Sequence, residues 1–237
     1  MAKLSRTSAS EAVADAGWRY QLGTYVASVP VSSMDQALQV SQGAIAEAGS
    51  DADEHLRIDL RPDRVELSLQ TRSLGCLTER DVDIAHGITE AVGRLGLRIA
   101  EPVTVSDRRP PEMLEISIDA MDIAAIRPFW RAVMGFGDEP GLGGQTDAIV
   151  DPAGQLPAIW FQQMDEPRTQ RNRIHFDITV SHDEGEYRVK AALDAGGHLV
   201  NDAYARSFWV LADAEGNEVC VCTWLDRDER ESAKEMK

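Results

Sequence analysis

The sequence predicts an α+β protein: an α-β-α-β-β-α domain followed by a paired βαβββ domain. Three observations predict it. Amphipathic stretches with the strand period of 2 and the helix period of 3.6 alternate along the chain. The stretch LRIAEPVTVSDRRPPEM (97–113) carries three prolines, which interrupt helices and central strands. The second half also repeats itself. LEISIDA (114–120) aligns with IHFDITV (174–180) at an offset of 60, and DPAGQLPAIWFQQ (151–163) aligns with DAEGNEVCVCTW (213–224) at an offset of 62. The domains are therefore placed at 1–107 and 108–226, with a charged, frayed tail at 227–237.

The elements follow in order. Ser8-x-x-Glu11 is a capping-box pattern that opens a short helix, with Gly17 as its stop. YQLGTYVASVPV (20–31) is β-rich. Met34, Leu38, Ser41, Ile45 and Ala48 recur at helical spacing, which predicts an amphipathic helix over 33–49. HLRIDL (55–60) and RVELSLQT (64–71) flank the turn Arg61-Pro62-Asp63 and form a hairpin. Thr78 to Asp81 caps a long helix whose buried stripe is Ile84, Ile88, Ala91 and Leu95. His86 falls on its solvent side. In the second half each copy reads strand, helix and turn-separated strands. The helices lie in IRPFWRAVMGFG (126–137) and EYRVKAALDAGG (186–197). Pro128 suits a first helical turn, so the former begins near Arg127. GLGG (141–144) lacks a strand–glycine–helix setting and reads as a connection.

Composition narrows the function. The 237 residues carry a net charge of −16, with a pI near 4.7. This disfavours nucleic acid and anionic membrane surfaces, both of which need clustered Lys and Arg. No apolar run reaches the length of a membrane span, and no secretory leader is read at the N-terminus. The three cysteines, Cys76, Cys220 and Cys222, do not make a disulfide framework, so a cytoplasmic setting is expected.

On the strand 171–180 (RNRIHFDITV), Arg173, His175, Asp177 and Thr179 share one face, and Ile174, Phe176, Ile178 and Val180 share the other. The first copy sets Glu115, Ser117 and Asp119 opposite Leu114, Ile116 and Ile118. The apolar faces are expected under the helices, leaving the polar faces to line a cup. His175 is a metal ligand, a base or a polar anchor, and Glu115 is its counterpart. Cys220 and Cys222 share a face that also holds Glu218. Trp18, His182 and His198 are assigned to packing or to the surface.

GWRY (17–20), the helix at 33–49 and GCLTERDVDIA (75–85) resemble pterin-4a-carbinolamine dehydratases over roughly 8–97. That family removes water from the 4a carbon of a pterin with histidines of a His-His-Pro motif and a Thr-His pair. Here those positions read Glu54-His55-Leu56 and Thr71-Arg72, and the cap glycine is Cys76. Arg72 cannot serve as a base. Glu54 and His55 are the substitute acid–base pair. On an extended segment these neighbours point to opposite faces. The resemblance implies dehydratase activity or a degenerate site kept as a scaffold.

FWRAVMGF (129–136), PRTQRNRIHFDITV (167–180) and DAEGNEVCVC (213–222) resemble the glyoxalase/bleomycin-resistance, or vicinal-oxygen-chelate, family over about 112–225. That resemblance implies a half-open barrel whose cup holds substrate and, in many members, a divalent metal. Carried over by motif, Glu115 and His175 fill first-strand ligand positions. Cys220 stands where a glutamate is usual. Trp160 or Gln162 takes the remaining position, depending on a one-residue alignment choice. A Glu/His/Cys set suits zinc, and the triad of ring-cleaving iron enzymes is absent. Trp160, Gln162, Asp177 and Trp224 are expected as further substrate contacts. Together the resemblances imply a small-molecule-binding or lyase-type protein working through the cup. A carbinolamine dehydratase and a homodimer that sequesters a metabolite or drug are the alternatives. A pterin or similar heterocycle is the expected ligand.

Overall fold

The computed structural model describes residues 2–100, 112–168, 170 and 172–228. The chain divides into two compact units, Met1–Met113 and Leu114–Lys237. The boundary expected near residue 108, and the tail from 229 onward, lie outside the described residues.

The first unit begins with α1 (Arg6–Ala12), β1 (Arg19–Gln21), β2 (Thr24–Pro30) and α2 (Met34–Ala48). A single helical turn, α3 (Ala52–His55), leads into the hairpin β3 (Leu56–Leu60) and β4 (Arg64–Leu69), and α4 (Glu79–Arg94) closes the unit. The sheet is antiparallel in the order β1-β2-β4-β3. Its core includes Trp18, Tyr25, Leu67, Leu69, Ile84 and Ile88.

Several expectations need correction here. The first helix starts earlier than predicted, because Ser5 rather than Ser8 caps it and accepts the Ser8 N–H. On α2 the large apolar residues Met34, Leu38 and Ile45 are each 50 % exposed, and Ala37, Val40, Ser41, Ala44 and Ala48 are buried. Small residues face inward because α2 lies close against α4, where a Cβ on Gly43 would stand 3.5 Å from Ala91 Cβ. Leu95 lies past the end of α4 and is exposed, so Val92 completes the buried stripe. His86 does not point to solvent, and its Nε2 lies 2.9 Å from the Ala12 carbonyl oxygen. Thr78 and Asp81 do form the capping box of α4.

The second unit contains two copies of strand, helix and three strands. The first is β5 (Glu115–Ala120), α5 (Ile123–Met134), β6 (Gly137–Asp138), β7 (Ile149–Val150) and β8 (Ala158–Gln163). The second is β9 (Phe176–Thr179), α6 (Gly185–Asp194), β10 (His198–Asn201), β11 (Phe208–Ala212) and β12 (Glu218–Cys222). The sheet orders are β5-β8-β7-β6 and β9-β12-β11-β10, the same path twice. In each copy the first strand runs parallel to the last. Helix α5 begins earlier than the proline suggested, because the Asp122 side chain caps it by accepting the Ala125 N–H, and Pro128 lies inside the helix. The shared core joins both copies through Phe129, Trp130, Ile159, Trp209, Leu211 and Val221.

Candidate functional site

Strand pairing places the predicted residues. β5 and β9 are edge strands of their sheets, each bonded to the last strand of its own copy. Ile118 is buried, and Ile116, Phe176, Ile178 and Val180 pack against the core as the alternation predicts. Leu114 and Ile174 do not. They are 70 % and 76 % exposed, and each precedes its strand.

The register also settles the open alignment choice. Ser117 pairs with Trp160, and Asp177, sixty residues after Ser117, pairs with Cys220. Trp160, not Gln162, therefore corresponds to Cys220. Gln162 pairs with Asp119, and Cys222 with Thr179.

On the second sheet His175, Asp177 and Cys220 converge, with one donor atom from each within 4.8 Å of the others. His175 Nε2 lies 3.5 Å from Asp177 Oδ1, and both side chains are exposed. Cys220 is buried. Its thiol is pushed up to about 12, first by burial and then by the Asp177 carboxylate beside it. Burial also pushes the Cys222 thiol up. Of the expected Glu/His/Cys set, the fold brings His175 and Cys220 together. Glu115, at the start of the other copy's edge strand, is not part of the cluster, and Asp177 takes its place. One imidazole, one carboxylate and one thiol fit a zinc-type ion with an open fourth position, provided the thiol gives up its proton. Trp160 supplies no donor from the first copy.

The concavity itself lies elsewhere. A cleft of about 710 Å3 opens where the end of β5 approaches the start of β9. Ser117, Asp119 and Met121 line one side, and Arg173, Phe176 and Glu218 line the other. Consecutive lining residues, such as Ser117, Ile118 and Asp119, mean that it runs along a strand edge and not across one face. Of the residues expected to line a cup, Ser117, Asp119 and Arg173 border this cleft and the others do not. Glu115 is at the far end of β5. Trp160 and Gln162 are one strand in from the edge, as Cys220 is on β12. Asp177 and His175 are not among its lining residues, and Trp224 follows β12, exposed and edge-on to the His182 ring at 5.5 Å.

Two residues not singled out in the sequence hold parts of this wall in place. Asp213 is fully buried and accepts from the Trp130 indole N–H at 2.9 Å and the Asn217 side-chain amide at 2.8 Å. The Glu215 carboxylate accepts the Met121 and Asp122 N–H groups at 2.9 and 2.7 Å. The signal for Asp213 was its place in the repeat, opposite Asp151 in a D-x-x-G turn.

In the first unit His55 is only 3 % exposed, and its Nδ1 lies 2.7 Å from Asp81 Oδ1. Asp81 also accepts from Thr71 and Thr78. His55 ends a helical turn and is not on an extended segment, so the expected opposition of two strand faces does not apply. Glu54 is bonded to the Ser73 N–H at 2.8 Å, and its carboxyl is held below the usual carboxylate range, chiefly by Ser73. Arg72 Nε donates to the Glu54 carbonyl.

Comparison with known proteins now bears on both units. Residues 2–91 match the family described as pterin 4 alpha carbinolamine dehydratase, and residues 115–222 match the family described as glyoxalase-like domain. The chain joins a dehydratase-like domain to a glyoxalase-like domain. No curated protein matches it. A glyoxalase/bleomycin resistance protein/dioxygenase family enzyme from Burkholderia phytofirmans is 20% identical, over 47% of this chain and 97% of that one, with a TM-score of 0.38. The fosfomycin resistance protein FosX from Mesorhizobium loti is 9% identical, over 52% of this chain and 99% of that one, with a TM-score of 0.39. A transcriptional coactivator/pterin dehydratase from Brucella melitensis is 22% identical, over 38% of this chain and 98% of that one, with a TM-score of 0.35. Among the described residues, no helix is long and apolar enough to cross a membrane.

Proposed function

We propose that the chain is a small-molecule-binding protein working through the cleft of its glyoxalase-like domain, and that its dehydratase-like domain carries a degenerate site. The carrying observation is the cleft of about 710 Å3, within the ordinary range for small-ligand pockets. Trp130 and Phe176 give it aromatic surface, and Asp119, Asn172, Arg173 and Glu218 give it donors and acceptors. That mixture suits a flat polar heterocycle of the pterin kind, whose amino-pyrimidinone edge can donate two N–H bonds to one carboxylate. Binding is favoured over turnover, because the described lining holds no histidine, cysteine or lysine to move a proton near neutrality.

A lyase-type reaction is the second reading, and the convergence of His175, Asp177 and Cys220 on the neighbouring sheet favours it. Against a working carbinolamine dehydratase stand the buried, Asp81-bound ring of His55 and the low, Ser73-bound carboxyl of Glu54. A group held below its usual range is a poor proton donor at neutral pH. Self-association belongs to the proposal. The half-exposed Met34, Leu38 and Ile45 of α2 support a homodimer, which sedimentation of Leu38→Glu would test.

The deciding experiment compares biopterin binding with turnover of a 4a-hydroxytetrahydropterin in the intact chain. Saturable binding with no turnover above the spontaneous rate supports the proposal. Turnover abolished in a folded His55→Ala variant restores the dehydratase, and turnover abolished in Cys220→Ala supports the lyase.

A further inference from the structure

We infer that Asp213 is the positioning residue of the cleft, an inference that rests on the cleft being the ligand site. Two homologous turns show why. In the first copy, Asp151 accepts the N–H groups of Ala153, Gln155 and Leu156 in its own turn. In the second copy, Asp213 Oδ1 closes the turn by accepting the Glu215 and Asn217 N–H groups, each at 2.9 Å. Its Oδ2 does different work, binding the Trp130 indole and the Asn217 side-chain amide. Asn217 Oδ1 in turn accepts the Asn172 side-chain amide at 2.6 Å.

Trp130, Asn172 and Asn217 all line the cleft. They come from α5, from the segment before β9 and from the turn before β12. One oxygen of a buried carboxylate therefore fixes a wall assembled from three separate parts of the domain. Asp213 does not itself line the cleft, so it acts through these side chains. The acceptor must be a carboxylate, because four donors already face it. An amide in its place sets an N–H against other N–H groups.

Asp213→Asn separates the two jobs. Its oxygen can still close the turn, while its amide nitrogen opposes the Trp130 and Asn217 donors. The readouts are solvent exchange of the Trp130 indole N–H, the Asn172 side-chain amide resonances, and biopterin affinity of the full chain. Asp213→Asn is expected to speed indole exchange about tenfold, shift the Asn172 resonances and weaken biopterin about tenfold, as the loss of one buried charge-assisted bond implies. Backbone amides of β11 and β12 should stay within about twofold of wild type. Unchanged indole exchange would overturn the inference, and so would an equal loss of protection across the whole domain, which marks a merely structural residue. If wild type fails to bind biopterin, the ligand proposed for the cleft falls, and indole exchange together with the Asn172 resonances still decides the role of Asp213.

Discussion

Cys220 and Asp177 are direct neighbours in the parallel pairing of β12 with β9, and the thiol sulfur lies within 4.8 Å of a carboxylate oxygen. Burial and this carboxylate both favour the neutral thiol over the thiolate. Intact protein should therefore resist iodoacetamide at pH 8 at Cys220, and unfolded protein should react at the rate of a free thiol. Asp177→Asn removes the charge and should speed alkylation of folded Cys220 several-fold, read by peptide mass spectrometry. An unchanged rate would show that the carboxylate does not restrain the thiol.

The same geometry separates two ligand sets for a metal. The sequence points to Glu115, whereas the fold brings Asp177 to His175 and Cys220. Zinc added to the chain is expected to bind through the latter three. Asp177→Asn should weaken it at least about tenfold, and Glu115→Gln should change it by less than about twofold. Competition against a chromogenic chelator measures both. The reverse order would return Glu115 to the site.

Tyr25 makes the dehydratase-like domain sensitive to alkali. Its hydroxyl donates to the Ala9 carbonyl at 2.7 Å, and its pKa is raised to about 12, first by burial and then by Asp81 and Glu79. An unfolded tyrosine titrates near 10. Below pH 10 both states keep the proton and the contribution is complete. Between about 10 and 12 the unfolded chain loses its proton first, so stability falls as pH rises. Tyr25→Phe should flatten this part of the stability profile measured by urea denaturation. A slope identical to wild type would remove Tyr25 as its source.

Gly197 tests the packing between the two copies. A Cβ there would lie 2.2 Å from the Phe129 ring and 3.0 Å from the Ala192 carbonyl oxygen. Gly197→Ala should cost about 1–3 kcal/mol through forced displacement of the ring. Denaturant midpoints measure it, and a neutral result would mean that Phe129 moves freely aside.

Much of the fold was legible in the sequence. Alternation along LEISIDA and IHFDITV correctly separated Ile118 and Phe176 from Asp119 and Asp177, because strand periodicity is a local property. The repeat offsets marked two copies of one unit. The misses share a cause, since each depended on a partner distant in sequence. Nothing local to α2 says that α4 lies close enough to demand Ala37 and Ala44 inward and leave Leu38 outside. Nothing local to Cys220 says that its parallel neighbour is Asp177. Asp213 and Asp151 look alike in their turns, yet only Asp213 finds an indole above it. Ser117, Asp119 and Arg173 were legible as cup-facing, but the course of the cleft was not, because it follows the edges of β5 and β9 and those edges exist only after the sheets have formed.

The central claim is that ligand enters the cleft between β5 and β9. Ser117 lines it from the exposed side, so Ser117→Trp fills the space without disturbing the core. The most direct measurement is a fluorescence titration of biopterin with wild type and Ser117→Trp at equal concentration. The account predicts one saturable site in wild type and its loss in Ser117→Trp. Equal binding by both proteins would contradict it and move the working site out of this cleft.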